Sequence, residues 1–378
     1  MDFALSEELE MIRDSAREYA ERVLKPQAGS ADAAEQFSVE VMQEAAEAGF
    51  MGLTVPEEFG GAGLGNLHAA IMLEEINRWD PSIGVTLSVH ISLACNSTNK
   101  WGTDAAKAKY LPKLASGEMI GAYCLTEPQA GSDAAAVRTK AEKVEGGWKI
   151  TGTKSWITTG EYAGLYVVYA VTDPDAPRGR NMGAFLIERE MDGVIVGKKE
   201  AKLGLRASST TEMIFEDVFV PDENMLGVPG QGFKIALDTL DGGRIGIASQ
   251  SLGIHRACLE ESVQYSKDRK QFGKSIGAFQ GVAWKLADMA TALEANRMLV
   301  HKAAWLRDLG QPCTKECSMA KLAASRACNV AAQDAVQIHG GAGYTKEFPV
   351  ERHYRDARIT EIYEGATDIQ RLVISRHL

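Results

Sequence analysis

Apolar positions recur at helical spacing from about residue 5 to residue 120. Ser6 stands as an N-cap, and after it Leu9, Ile12, Ala16, Tyr19 and Val23 lie on one face. Pro26 is expected to stop that helix. Further helices are expected over Val39 to Ala48, ended by Gly49, and over His68 to Arg78, Ser82 to Lys100 and Asp104 to Ser116. The glycines between Val55 and Gly65 superficially resemble a dinucleotide fingerprint. No strand precedes them and no βαβ pattern surrounds them, so they read as a loop that opens the next helix.

Near Gly121 the period shortens to two. Val137 to Val144 and Trp148 to Thr151 flank Glu145-Gly146-Gly147, a hairpin signal. Leu165 to Val171, Gly183 to Ile187 and Glu212 to Val220 are further β-rich runs, punctuated by Asp173-Pro174 and Pro221-Asp222. From Gly230 the helical period returns over Phe233 to Tyr265, Gln280 to Leu309 and Lys315 to Ile338. Small and large apolar residues surround these helices, which predicts a bundle buried on more than one side. The expected architecture is α+β. It comprises an N-terminal helical domain (1–121), a middle β domain of barrel or sandwich type (122–224) and a C-terminal helical bundle (225–378).

Composition narrows the partners. The chain has 378 residues and a formal net charge of -10, which disfavours nucleic acid but not a phosphate-bearing cofactor. No apolar run approaches the roughly 20 residues of a membrane span. Met1 to Ser6 resembles neither a signal h-region nor an Arg-rich transit segment. Six scattered cysteines without a C-x-x-C point to reduced thiols in a cytoplasm, with neither a disulfide framework nor a metal site.

Candidate chemistry falls in six clusters. In Tyr123-Cys124-Leu125-Thr126-Glu127-Pro128-Gln129-Ala130-Gly131-Ser132-Asp133, Pro128 and Gly131 force a loop offering backbone N–H groups and a hydroxyl. In Lys154-Ser155-Trp156-Ile157-Thr158, a flat ring lies beside a donor, suiting a planar heteroaromatic group or an ordinary strand end. Asp241-Gly242-Gly243-Arg244 opens a long helix. Asp268 to Gly273, followed by Phe279-Gln280, is a basic-aromatic turn, and Gln337 to Tyr344 is a helix end running into glycines. Arg244 and Arg269 are either phosphate partners or surface ion-pair members. Near the C-terminus, Tyr363-Glu364-Gly365 breaks two helical patterns. Thr367 or Asp368 is placed to cap the last helix, which has apolar Ile369, Leu372, Val373 and Ile374. Glu364 is there either a catalytic base or a solvated loop carboxylate.

These motifs, in this order and over essentially the whole chain, resemble the acyl-CoA dehydrogenase family, nearest in character to its short-chain or short/branched-chain members. The resemblance rests on Thr126-Glu127-Pro128 with Gly131-Ser132-Asp133, Lys154 to Thr158, Arg269 with Phe272-Gly273, Gln337 to Gly341, and Tyr363-Glu364-Gly365. It implies FAD and a homotetramer built as a dimer of dimers. Tyr123, Leu125, Thr126, Gly131, Ser132, Trp156, Ile157 and Thr158 would line the flavin. Arg269, Phe272, Phe279, Gln280, Gln337, Ile338, Gly340 and Gly341 would reach the rest of FAD, with Arg269 and the glutamine-glycine loop coming from a neighbouring subunit. Thr367 and Asp368 would approach the cofactor. Ser132, Asp241, Arg244, Tyr363 and Gly365 would contact the acyl-CoA substrate.

By the same resemblance, Glu364 removes the α-proton of the thioester while the β-hydrogen leaves as hydride to flavin N5. The product is a trans-2-enoyl-CoA, and an electron-transfer flavoprotein takes the electrons. Some members carry the base at the position of Gly243, which has no side chain to offer. Val85 to Leu93 lacks the arginine of glutaryl-CoA enzymes, and Ile91 is not the aspartate of some cyclic-acyl enzymes. Ala366 replaces a usual threonine, a hydroxyl for which Thr367 is a partial substitute. The expected activity is dehydrogenation of a short-chain acyl-CoA. The alternatives are the same fold acting on a cyclic, aromatic or dicarboxylic acyl-CoA or as an enoyl-CoA reductase, an oxidase, and a non-catalytic scaffold.

Overall fold

The computed structural model describes residues 4–378. Helices α1 (Glu7–Tyr19), α2 (Lys25–Ala34), α3 (Val39–Glu47), α4 (Asn66–Asn77), α5 (Pro81–Ser88), α6 (Asn96–Trp101) and α7 (Asp104–Ala115) form the N-terminal layer. Ser6 caps α1 by accepting from the Leu9 N–H at 3.3 Å. Pro26 does not stop the chain as expected. A wide π turn over Ala20–Leu24 joins α1 to α2, so Pro26 falls in the first turn of α2, where its missing N–H leaves no intrahelical bond unmade. A second π turn, Val89–Cys95, joins α5 to α6. Such turns widen the helix and re-aim its faces.

The middle domain is a sheet of eight strands: β1 (Gly121–Cys124), β2 (Lys140–Val144), β3 (Gly147–Thr158), β4 (Leu165–Val171), β5 (Met182–Glu188), β6 (Val194–Lys199), β7 (Thr210–Pro221) and β8 (Met225–Leu226). The order runs β6-β7-β3-β2-β4-β5-β8, with β1 parallel to β4. The β4 run Leu165 to Ala170 is buried on both faces, which is why it reads as continuously apolar. One face packs on helices through Leu165, Val167 and Tyr169, and the other on Phe185, Phe215 and Trp148.

Helix α8 (Gly232–Asp268) is the spine of the last layer. A small hairpin, β9 (Lys270–Gln271) and β10 (Lys274–Ser275), leads to α9 (Gln280–Asp308), α10 (Thr314–His339), α11 (Val350–Ile359) and α12 (Thr367–Ser375). α10 packs along α8 and α9, and α4 of the N-terminal layer packs against α8. Ion pairs pin the layers: Arg297 to Glu74 at 2.6 Å and Arg256 to Glu75 at 2.8 Å. The Asp241-Gly242-Gly243-Arg244 motif sits inside α8 rather than opening it, because the helix begins at Gly232.

Candidate active site

All three layers converge on one cavity of about 1220 Å³. That exceeds the roughly 300–1,000 Å³ of a site for one drug-sized ligand. The β domain contributes Tyr123, Leu125, Thr126, Gly131, Ser132, Trp156, Ile157 and Thr158 to its walls. Trp156 reaches it through local geometry. The β3–β7 register slips between Lys154 and Ile157, and Trp156 takes a left-handed φ of 61°. A bulge of this kind re-aims a side chain out of the strand's alternation. The indole is left 61% exposed, a large flat surface without a packing partner equal to its size. The hydroxyls of Thr126, Ser132 and Thr158 line the same wall and hydrogen-bond to no group among the described residues.

A buried ion pair holds this wall. Lys154 Nζ lies 2.7 Å from Glu127 Oε1, both side chains being almost fully enclosed. Glu127 also accepts from the Arg138 N–H at 2.6 Å, and from the Thr139 N–H and hydroxyl at 2.9 and 2.6 Å. Burial pushes its carboxyl up, but Lys154 and these donors outweigh that and bring it down to about 2. The loop bearing Thr126 and Ser132 is thereby tied to the strand bearing Trp156.

Opposite stands Glu364, on the turn between α11 and α12. Its φ is 52° and that of Gly365 is 90°, so two consecutive left-handed residues reverse the chain there. Neither Thr367 nor Asp368 caps α12: the Thr367 hydroxyl donates to the Glu361 carbonyl at 3.1 Å, and Asp368 pairs with Arg371 at 2.7 Å. The turn is held instead by Gln370 Nε2, which donates to the Glu364 carbonyl at 3.1 Å and the Gly365 carbonyl at 2.8 Å. Lys321 of α10 adds a bond to the Gly365 carbonyl at 2.8 Å, and the Tyr363 hydroxyl donates to Gln250.

The Glu364 carboxylate is buried, and its Oε2 has no hydrogen-bond partner. Burial raises its pKa to about 7, against the lowering effects of Arg244 and Lys321. Room for it depends on Gly243: a Cβ built there would stand 2.5 Å from Glu364 Oε2. Beside it, Arg244 donates to Asp241 at 2.7 Å, and Thr314 donates to the other Asp241 oxygen at 2.6 Å. Val85, Val89, Leu93, Leu205, Ile359 and Tyr363 close the apolar end of the cavity.

Asp241, Arg244, Tyr363, Glu364 and Gly365 therefore share the cavity with the β-domain residues. Arg269, Phe272, Phe279, Gln280, Gln337, Ile338, Gly340 and Gly341 do not line it, nor do Thr367 and Asp368. The first eight gather at one end of the bundle, where Tyr265 stacks on His339 at 4.2 Å and Phe272 meets Phe279 edge-on at 6.0 Å. Ile91 is a poor witness to the acyl pocket: it packs among the N-terminal helices, and Val85, Val89 and Leu93 face the cavity instead. Sequence reasoning missed Lys321, Gln250 and Gln370. A lysine set among Ala320, Ala323 and Ala324 in a helix of small residues was the available signal for the first; the two glutamines carried none.

A buried, unpartnered carboxylate facing an aromatic wall with free hydroxyls defines an acid–base enzyme with room for a large planar ligand. Residues 6–118, 122–218 and 230–378 match the descriptions "Acyl-CoA dehydrogenase, N-terminal domain", "middle domain" and "C-terminal domain". The chain belongs to the acyl-CoA dehydrogenase family. It is 48% identical over 375 residues, 99% of each chain, to the short-chain specific acyl-CoA dehydrogenase of Clostridium acetobutylicum. Butyryl-CoA dehydrogenase from Megasphaera elsdenii superposes with a TM-score of 0.98 at 41% identity, covering 100% of this chain and 99% of that one. A chain in a structure described as the electron transferring flavoprotein of Acidaminococcus fermentans superposes with a TM-score of 0.98 at 45% identity, covering 100% and 99%.

Proposed function

We propose that this protein binds FAD and a short-chain acyl-CoA in the cavity and dehydrogenates the thioester to a trans-2-enoyl-CoA, with Glu364 as the base. The carrying observation is the buried Glu364 carboxylate, raised to about 7 and facing the Trp156–Thr158 wall across a cavity large enough for two ligands. The residues present suit FAD. Trp156 offers an aromatic face, and the unpartnered hydroxyls of Thr126 and Thr158 offer donors to the polar edge of a flavin. When bound, FAD supplies the acceptor for the β-hydrogen as hydride. Ser132, Asp241 and Arg244 are assigned to the CoA portion of the substrate, and Tyr363 and Gly365 to the thioester end.

The chain's own groups perform the proton chemistry. A carboxylate taken out of water is a stronger base, and closure over the substrate desolvates Glu364 further. Its backbone N–H makes no hydrogen bond among the described residues, so it is free to donate to the thioester oxygen as negative charge develops there. The apolar end walled by Val85, Val89, Leu93 and Ile359 suits an acyl chain, and the short-chain relatives support a short one.

Two further assignments belong to this reading. The electrons pass to an electron-transferring flavoprotein, a reading supported by the Acidaminococcus neighbour. The protein is a homotetramer in which Arg269, Phe272, Phe279, Gln280 and the Gln337–Gly341 loop complete the FAD site of a neighbouring subunit. Their distance from the cavity of their own chain supports this. So do the exposed apolar residues on α9, with Trp284 63% and Trp305 51% exposed, and Phe272, 92% exposed. The test is anaerobic addition of butyryl-CoA to the yellow protein. The wild type bleaches, whereas Glu364→Gln keeps its FAD and does not; near-normal turnover by Glu364→Gln would refute the assignment. A panel of longer, cyclic and dicarboxylic acyl-CoAs reads the substrate class.

A further inference from the structure

Lys321 is fully buried on α10, and a buried ammonium is costly unless a specific arrangement holds it. Its one hydrogen-bond acceptor among the described residues is the Gly365 carbonyl, the peptide immediately after the proposed base. The other charges around it are paired. Arg244 of α8 is joined to Asp241, and Glu361, after α11, is joined to Arg358. Tyr123 of β1 and Tyr363 also face Glu364, and burial pushes both phenols up, so they stay neutral. Burial lowers Lys321 to about 8, with Glu364 opposing that shift, so the ammonium is still mostly charged at pH 7. Lys321 and Glu364 are thus left as opposite charges without an ion-pair partner of their own among the described residues, with Arg244 a second cation acting on Glu364.

We propose that Lys321 is a positioning residue: its ammonium anchors the Gly365 carbonyl so that Glu364 faces the substrate, and from that anchored place, one peptide from the base, it adds to Arg244 a second positive charge that favours the ionised carboxylate. This rests on the reading of Glu364 as the base. The anchoring has a clear task, because the turn contains a non-glycine residue in the left-handed region that must be held against relaxation. The charge has a second task. Burial alone favours the protonated acid, which cannot accept a proton, and a nearby cation opposes that shift. Gln370 shares the anchoring of the same carbonyl but carries no charge, so the two roles separate experimentally.

The test is a pH titration of the carboxylic acid C=O band by infrared difference spectroscopy, the band being identified by its loss in Glu364→Gln. It reads protonation without turnover. In Lys321→Met the midpoint rises by about 1 pH unit, and kcat for butyryl-CoA at pH 7 falls at least about fivefold with little change in KM. Gln370→Leu slows turnover without moving the midpoint. If Lys321→Met does not fold or retain FAD, Lys321→Gln, which is neutral but keeps a polar donor, carries the test and shows the same rise. A midpoint unmoved in a folded, FAD-loaded variant overturns the inference, as does an equal rise in Gln370→Leu. An inactive Glu364→Gln with an unmoved Lys321→Met midpoint leaves the base standing and removes only the role of Lys321. Normal turnover by Glu364→Gln removes both.

Discussion

Replacing Gly243 by alanine would put a methyl group into the space the Glu364 carboxylate occupies. The added Cβ would stand 2.5 Å from Oε2, 3.0 Å from the carboxyl carbon and 3.0 Å from Leu93 Cδ2. The oxygen contact is short of ordinary van der Waals separation by about 0.9 Å, and a shift of about 1 Å in a reacting group can cost on the order of 100-fold in rate. The turn's backbone is held by Gln370 and Lys321, so the flexible end of the Glu364 side chain must take up the shift and leave its reacting position. The predicted loss is therefore about 100-fold in the rate of flavin reduction, or about 2.7 kcal/mol of barrier. Gly243 lies within α8, where alanine favours a helix over glycine by about 0.5–1 kcal/mol, which offsets part of the overpacking cost of about 1–3 kcal/mol. The assay is anaerobic stopped-flow reduction by butyryl-CoA, with FAD content and melting temperature measured on the same sample. A folded, FAD-loaded Gly243→Ala protein that reduces its flavin within threefold of the wild-type rate, about 0.65 kcal/mol, would refute the geometry.

Two other outcomes follow from the electrostatics. As the proposed base, Glu364 acts only when ionised, so kcat/KM rises as pH increases through about 7 and levels above it; an acidic limb near the ordinary carboxylate value of 4.5 would contradict its burial. Glu127→Gln leaves Lys154 buried without its counter-charge and costs about 3–5 kcal/mol of stability, read by denaturant unfolding, while the double variant Glu127→Gln/Lys154→Met recovers part of that loss.

The domain order and the long helices were legible because hydrophobic periodicity is a local property. Ser6, Gly49 and the Glu145-Gly146 turn acted where expected, since capping and turn chemistry involve only neighbouring residues. Pro26 misled for a reason the local pattern does not contain: the π turn before it shifts the hydrogen-bond register so that a proline is tolerated. A similar turn at Val89–Cys95 helps decide that Val89 and Leu93, rather than Ile91, look into the cavity.

By itself, the chain's order of residues determined the helical–β–helical plan, the loop character of Tyr363-Glu364-Gly365 and the chemical types available to a site. Tertiary structure alone decided which of them meet. Glu364 and Gly243 are distant in sequence and touch only because α8 passes beneath the turn after α11. Burial of Glu364, the cation at Lys321 and the separation of the Arg269 and Gln337 groups from the cavity depend on the packing of whole layers. Desolvation and close contact are sums over neighbours brought from across the chain, and no local window of sequence contains those neighbours.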